Sequence, residues 1–437
     1  MEVTIIGAGL AGCELAYQLA NNGIKVILYE KKKRIKNEIQ KLDTFAELVC
    51  SNSLRSTSTQ NAVGILKKEL ELLGSFVLDC AYKTQVKADD ALAVDRAKFS
   101  ELIDKRIRSH KNITVIEEEL IEIDDKKINV ICCGPLITES FQIKINELIG
   151  NQKLFYLDAS APIIKKDSID FEVAYWNSRH NNDKSYICLP LNESQFEDFH
   201  KNLLEAKQVE LKDFEKKVFF RGCQPIEQLA KQSKKLLLNG PMSPNNLATK
   251  EIDPYAVIQL RKDDAIDELY NMVGFQTNLT WPEQKRIFKS IPGLNNAEFV
   301  RFGVMHKNNY INSPKILNKK LQVMRNKKIF FAGQVVGVEG YIESFASAMI
   351  VFIALFCQHH GKKFEPFPQK TILGSLIDYV TNPKIKYLKP MKANMGIINT
   401  LNKKFDTRFE KNEYIYQQSM KALKKYIEKL GLKPLQI

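Results

Sequence analysis

The chain opens with the feature that most limits its possible folds. Val3 to Ile6 is a short apolar run of strand character, Gly7-Ala8-Gly9-Leu10-Ala11-Gly12 is a glycine-rich turn, and Cys13 to Ala20 continues with apolar residues at helical spacing. Asn21-Asn22-Gly23 stops that helix, and Lys25 to Glu30 forms a second strand ending on an acid. This is a β-α-β unit with a dinucleotide fingerprint. Gly7 makes the tight turn, Gly9 lets the backbone approach a pyrophosphate, and Gly12 lets the helix pack on the sheet. The helix N-terminus offers N–H donors to phosphates, and Glu30 is placed to accept from ribose hydroxyls. The bland alternative is a glycine turn that only packs helix on strand. The strand, the helix and the terminal acid together favour nucleotide binding.

Two later segments extend this unit. Asn129 to Gly134 (NVICCG) reads as another strand of the same sheet. Lys328 to Tyr341 (KIFFAGQVVGVEGY) reads as a strand entering a glycine turn, with an apolar helix from Phe345. Between them lies a region of different texture, with strand-like KKVFFRG and YAVIQL and the turn signals NGP and IPG. The expected architecture is α/β: a split Rossmann-like domain (1–165 and 301–437) around an inserted α+β domain (166–300). The longest apolar run, Phe345 to Cys357, is about 13 residues, short of the ~20 a membrane span needs, and is expected to be a buried helix. No signal-peptide pattern opens the chain, so a cytosolic protein without a membrane partner is expected.

Hydrophobic residues make up 44% and charged residues 27%, which excludes a disordered chain. The 65 Lys and Arg exceed the 51 Asp and Glu by 14, and residues 361–437 alone hold 16 bases against 6 acids. That uneven charge favours a polyanionic partner. Lys384, Lys386, Lys389, Lys392, Lys403, Lys404 and Arg408, interleaved with Tyr387 and Phe405, suit a phosphate track; a solvated lysine face is the alternative. None of the eight cysteines forms a C-x-x-C pair and the histidines lack zinc-ligand spacing, so no metal site is expected.

Further blocks follow in order: FAELVCSNSLRS (45–56), NAVGILKKEL (61–70), ALAVDRAKF (91–99), FFRGCQPIE (219–227), PYAVIQLRKDDA (254–265), YNMVGFQTNL (270–279), RFGVMHKNNYINSP (301–314) and FFAGQVVGVEGYIES (330–344). Over nearly the whole chain they resemble the folate- and FAD-dependent tRNA (uracil-5-)-methyltransferases. The resemblance implies FAD and methylenetetrahydrofolate as cofactors, NAD(P)H as reductant and a T-loop uridine of tRNA as substrate. It implies that Gly333, Gln334, Gly340 and Tyr341 hold the flavin, with Glu339 at its edge. Two segments differ from the family pattern: SFASAMIVFIAL (344–355) lacks glycine, and the strand end reads CCG (132–134).

Uracil carbon-5 is a poor nucleophile, and thiolate addition at carbon-6 activates it. Cys223 is the first candidate. Pro225 is predicted at the first helical position, so Cys223 lies at or just before a helix start beside Arg221, where dipole and cation favour a thiolate. Cys50, among Ser51, Asn52 and Ser53 with Arg55 nearby, is the second, and the resemblance implies that its loop borders the flavin. Each has a structural alternative as a small buried or loop cysteine. The other six cysteines are expected in the core. Arg96 is read either as a phosphate or folate contact or as half of an internal ion pair with Asp95 nearby, and His306 as a proton relay or a structural residue. The target base must leave its stack. Three other functions stay open: the same chemistry on a ribosomal RNA uridine, flavin oxidoreduction of a small metabolite, and a flavin-bearing RNA chaperone. Oligomeric state is not legible.

Overall fold

The structure, a computed structural model, describes residues 1–37, 39–120, 122–150, 153–180, 183–210, 224–398 and 403–435. Its organising element is a five-stranded parallel sheet with the order Ile329–Phe331, Asn129–Ile131, Glu2–Ile6, Lys25–Tyr29, Ile113–Ile116. The opening strand therefore sits at the centre, and both later strands expected beside it pair on one side. Its residues Val3 and Ile5 are fully buried, as in a parallel sheet covered on both faces.

The helix Leu10–Asn21 packs against a second helix, Tyr341–His359. The latter exceeds the apolar run that announced it, reaching 19 residues. By length and composition it is apolar enough to cross a membrane, but 89% of its most apolar window is buried inside the protein. It forms the first core. Small residues replace the missing glycines at its start: the Ser347 hydroxyl accepts from Gly333 N at 2.7 Å, and Ala346 and Ala348 are fully buried.

A second core lies on a six-stranded sheet, ordered Tyr175–Asn177, Tyr186–Leu191, Ala256–Lys262, Leu269–Met272, Ile163–Lys165, Phe299–Arg301, all antiparallel. The helices Glu193–Glu205, Ile226–Gln232 and Trp281–Phe288 supply Phe196, Phe199, Ile226, Ile287 and Phe288 to it. Ile163–Lys165, expected to close the first part of the nucleotide domain, pairs inside this sheet instead. Three residues are too short a strand to show which sheet they join. The strand-like stretch KKVFFRG lies outside the described residues.

The C-terminal region is folded and largely helical. The helix Ile372–Val380 and the helix Arg408–Leu430 both contribute to the first core. Glu69, fully buried on the helix Ala62–Leu72, joins them: its carboxylate accepts from Ile372 N (2.6 Å), Leu373 N (2.9 Å) and the Ser419 hydroxyl (2.6 Å). It satisfies the orphan donors at a helix N-terminus in trans. Burial pushes its pKa up to about 7, and the three hydrogen bonds oppose that rise. Because the folded-state value lies above the ordinary 4.5, this group's contribution to stability is full below about pH 4.5 and is lost as pH rises through about 7. Glu69→Gln is therefore expected to make the fall in unfolding free energy across that window shallower than in the wild type, measured by denaturant titration at several pH values.

Candidate functional site

The glycine turn behaves as a cradle. Gly7 has φ +102°, and a Cβ there would lie 2.6 Å from Cys132 O. At Gly12 a Cβ would lie 1.8 Å from Gly7 O. At Gly9 it would meet nothing within 4 Å, because this position faces an open groove of about 1170 Å³. Gly9 is the N-cap of the helix, and among the described residues no side chain caps it. The first N–H groups of that helix are therefore available to an anion.

Gly7, Ala8, Gly9, Leu10 and Ala11 line this groove together with Glu30, Gly333, Gln334 and Tyr341. Glu30, expected to meet a ribose, also has a role within the turn. Its carboxylate accepts from Ala8 N (2.7 Å) and Lys32 N (2.8 Å), bracing the turn. Each carboxylate oxygen keeps a further lone pair for hydroxyl donors. A cradle open only at its middle glycine, an uncapped helix start and an acid at the second strand's end fit the adenosine diphosphate half of FAD.

The groove continues into a pocket of about 700 Å³ that shares Val49, Gln334 and Tyr341 with it and adds Cys50, Arg55, Glu339, Gly340 and Lys392. Cys50 sits on a loop that remote side chains hold in place. Arg96 donates to Leu48 O, Arg301 to Val49 O (2.5 Å), and Arg261 to the Ser51 hydroxyl (2.6 Å) and the Asn52 side-chain Oδ1 (3.2 Å). Asn52, wholly buried, donates to Val94 O and Lys262 O. The Tyr341 hydroxyl accepts from Cys50 N (2.8 Å) and Ser51 N (3.2 Å), and burial pushes its pKa up, keeping it neutral. The Cys50 thiol points to Ala159 O at 3.7 Å. Tyr341→Phe would orphan those two amides, a cost of about 1–3 kcal/mol. It is expected to lower the thermal midpoint and speed alkylation of Cys50, read by mass spectrometry.

Arg96 resolves to the internal ion pair, bonded to Asp263 at 2.8 Å. Burial works against its charge, but Asp263, together with Tyr341 and Cys50, holds its pKa above the ordinary value. Asp95 caps the following helix through Lys98 N (3.0 Å). Burial, then the neighbouring Arg96, lowers the pKa of Arg301. Burial also pushes Glu339 up to about 7, against the pull of Lys392. Gln334 donates to Glu339 at 2.7 Å. Below the pocket, Arg55 pairs with Glu343, and buried Lys67 donates to Ser56 O (2.8 Å). Burial lowers Lys67 to about 7. The cation interrupts an apolar helical stripe of Val63, Leu66 and Leu70, a signal the sequence held.

Cys223 lies outside the described residues. The helix after it begins at Ile226, with Pro225 as its N-cap rather than its first helical residue. Glu227 is fully buried and accepts from the Thr277 hydroxyl (2.9 Å) and Asn278 N (2.8 Å), tying that helix start to the second core. Cys13, Cys80, Cys132, Cys188 and Cys357 are buried, and Cys133 partly so.

A family model described as glucose inhibited division protein A matches residues 2–363. The methylenetetrahydrofolate–tRNA-(uracil-5-)-methyltransferase TrmFO 2 of Mycoplasma mycoides is 57% identical over 434 residues, covering 98% of each chain. The chain belongs to the methylenetetrahydrofolate–tRNA-(uracil-5-)-methyltransferase family. Another TrmFO, from Mesoplasma florum, is 56% identical over 98% of this chain and 96% of its own. The TrmFO of Bacillus subtilis is 45% identical over 96% and 97%. The fold is also that of Aquifex aeolicus GidA (TM-score 0.70, 16% identity, 99% of this chain and 74% of that one).

Proposed function

We propose that this TrmFO-family chain methylates carbon-5 of a uridine in tRNA. FAD is its bound cofactor, methylenetetrahydrofolate its one-carbon donor and NAD(P)H its reductant. The observation that carries this is the continuity of the nucleotide groove with the Cys50 pocket through Gln334 and Tyr341. The turn Gly7–Gly12 and Glu30 hold the nucleotide half of the cofactor, and Gln334 and Tyr341 border its reactive half. When bound, the flavin supplies the reducing equivalents that complete a methyl group.

The chain's own residues do the rest. A thiolate, that of Cys223, adds to uracil carbon-6 and makes carbon-5 nucleophilic. After carbon-5 has captured the one-carbon unit, a base removes the carbon-5 proton and the thiolate leaves. Glu339, which lines the Cys50 pocket and has its pKa raised to about 7 by burial, is suited to that proton. The Cys50 loop brings a second thiol to the flavin edge. The walls restrict water, and the arginine-pinned backbone keeps the reacting groups in line. A basic surface receives the RNA.

Anaerobic titration of the purified, flavin-loaded protein with NADH and NADPH tests the reductant. Bleaching of the flavin absorbance by one of them within the turnover time is expected. A flavin that neither nucleotide bleaches would overturn that assignment.

A further inference from the structure

A second cavity lies away from the flavin groove. It is a surface groove of about 1040 Å³ with a floor of Ile316 and Val323 and a rim of Lys315, Arg325, Lys386 and Tyr387. Lys315, Arg325 and Lys386 are exposed, and none meets a carboxylate among the described residues. Lys315 only reaches Pro383 O at 3.5 Å. Among the described residues, none lining the groove is acidic. Tyr387 is 67% exposed, a large ring left in water, and Lys386 lies 5.5 Å over its centroid. Three unpaired cations around an exposed aromatic face and an apolar floor match an unstacked nucleotide with its flanking phosphates.

One short chain segment links the rim of this groove to the Cys50 pocket. The segment from Lys386 to Lys392 runs between them and is pinned along its length. Asn312 brackets its start, donating to Lys386 O (3.0 Å) and accepting from Leu388 N (3.1 Å). Tyr310 donates to Leu388 O (3.0 Å). Met391 N donates to Gly337 O (3.0 Å), and Met391 O accepts from Glu339 N (2.9 Å). Lys392 then lines the pocket that holds Cys50 and Glu339. Six residues span at most about 22 Å, so groove and pocket lie within reach of one RNA strand.

We infer that this groove is an RNA-docking site. Lys315, Arg325 and Lys386 hold phosphates of the substrate strand, and Tyr387 stacks a base that flanks the target uridine. The inference rests on the proposed action on tRNA and names the surface that receives it. All four side chains lie on the exterior, so their substitution leaves the cores intact.

The test is binding of an unmodified, full-length tRNA transcript to the flavin-loaded protein, followed by fluorescence anisotropy across a salt series. The triple variant Lys315→Ala, Arg325→Ala, Lys386→Ala is expected to bind at least about tenfold more weakly. Its slope of log affinity against log salt should be shallower by about 2. Tyr387→Ala is expected to lose about tenfold with the slope unchanged, and Tyr387→Phe to restore binding. Flavin content and thermal midpoint should match the wild type throughout. Wild-type affinity and slope in the triple variant, with the wild-type enzyme methylating tRNA, would overturn the docking site alone. A wild-type protein that neither binds nor methylates tRNA would overturn the reading beneath it.

Discussion

Gly9→Val is expected to give a folded protein without flavin colour. Gly9 has φ −75° and ψ −170°, extended backbone open to any residue, so a side chain adds no strain there. A Cβ at this position meets nothing within 4 Å, and the added bulk projects into the groove where the pyrophosphate would lie. The thermal midpoint of the apoprotein should change by only a few degrees. FAD affinity should fall by about 10- to 100-fold, since overfilling a fitted site costs roughly 1–3 kcal/mol before any lost hydrogen bond is counted. Gly12→Val provides the contrast. Its Cβ would lie 1.8 Å from Gly7 O, so the turn itself has to move and folded protein should be lost. A yellow Gly9→Val protein with wild-type flavin content would refute the assignment of this groove.

Cys223→Ala is expected to keep flavin and tRNA binding while methyl transfer falls by about 10⁴-fold or more, the scale seen when a covalent nucleophile is removed. The helix that follows Pro225 is fixed at its start, because Glu227 is bound to Thr277 and Asn278. Cys50→Ala should also impair turnover, through the loop that Arg96, Arg261, Arg301 and Tyr341 hold beside the pocket. A tRNA carrying 5-fluorouridine separates the two roles. Fluorine stands where the proton has to leave, so the thiol adduct persists and shifts the protein on a denaturing gel. The shifted band should vanish in Cys223→Ala and survive in Cys50→Ala. The reverse pattern would exchange the two assignments.

The opening unit was legible because its signal is local: three glycines, a helix stop and an acid, all within thirty residues. Two more strands of the first sheet followed, since Asn129–Ile131 and Ile329–Phe331 lead into glycines, whereas the edge strand Ile113–Ile116, four residues with no turn glycine beside it, was not read. The Cys50 pocket was only half legible. Its loop was marked by LVCSNSLRS, but the arginines that fix it come from positions 96, 261 and 301, brought together by the fold. Arg96 illustrates this, because no local feature pairs it with Asp263. Pro225 was displaced by one position because a proline fits both the cap and the first turn of a helix. The basic C-terminal stretch carried two roles that composition could not separate. Lys386 and Tyr387 rim a groove, whereas Lys403 lies 4.0 Å over the Tyr414 ring.

Mass mapping of 5-methyluridine is the most direct test of tRNA methylation by this chain. Pure protein would be incubated with tRNA and rRNA separately, with NADPH and methylenetetrahydrofolate labelled at its methylene carbon. The expected result is one labelled methyl group on a tRNA uridine and none on rRNA. Label on a ribosomal uridine alone, or in neither RNA from flavin-loaded protein, would contradict it.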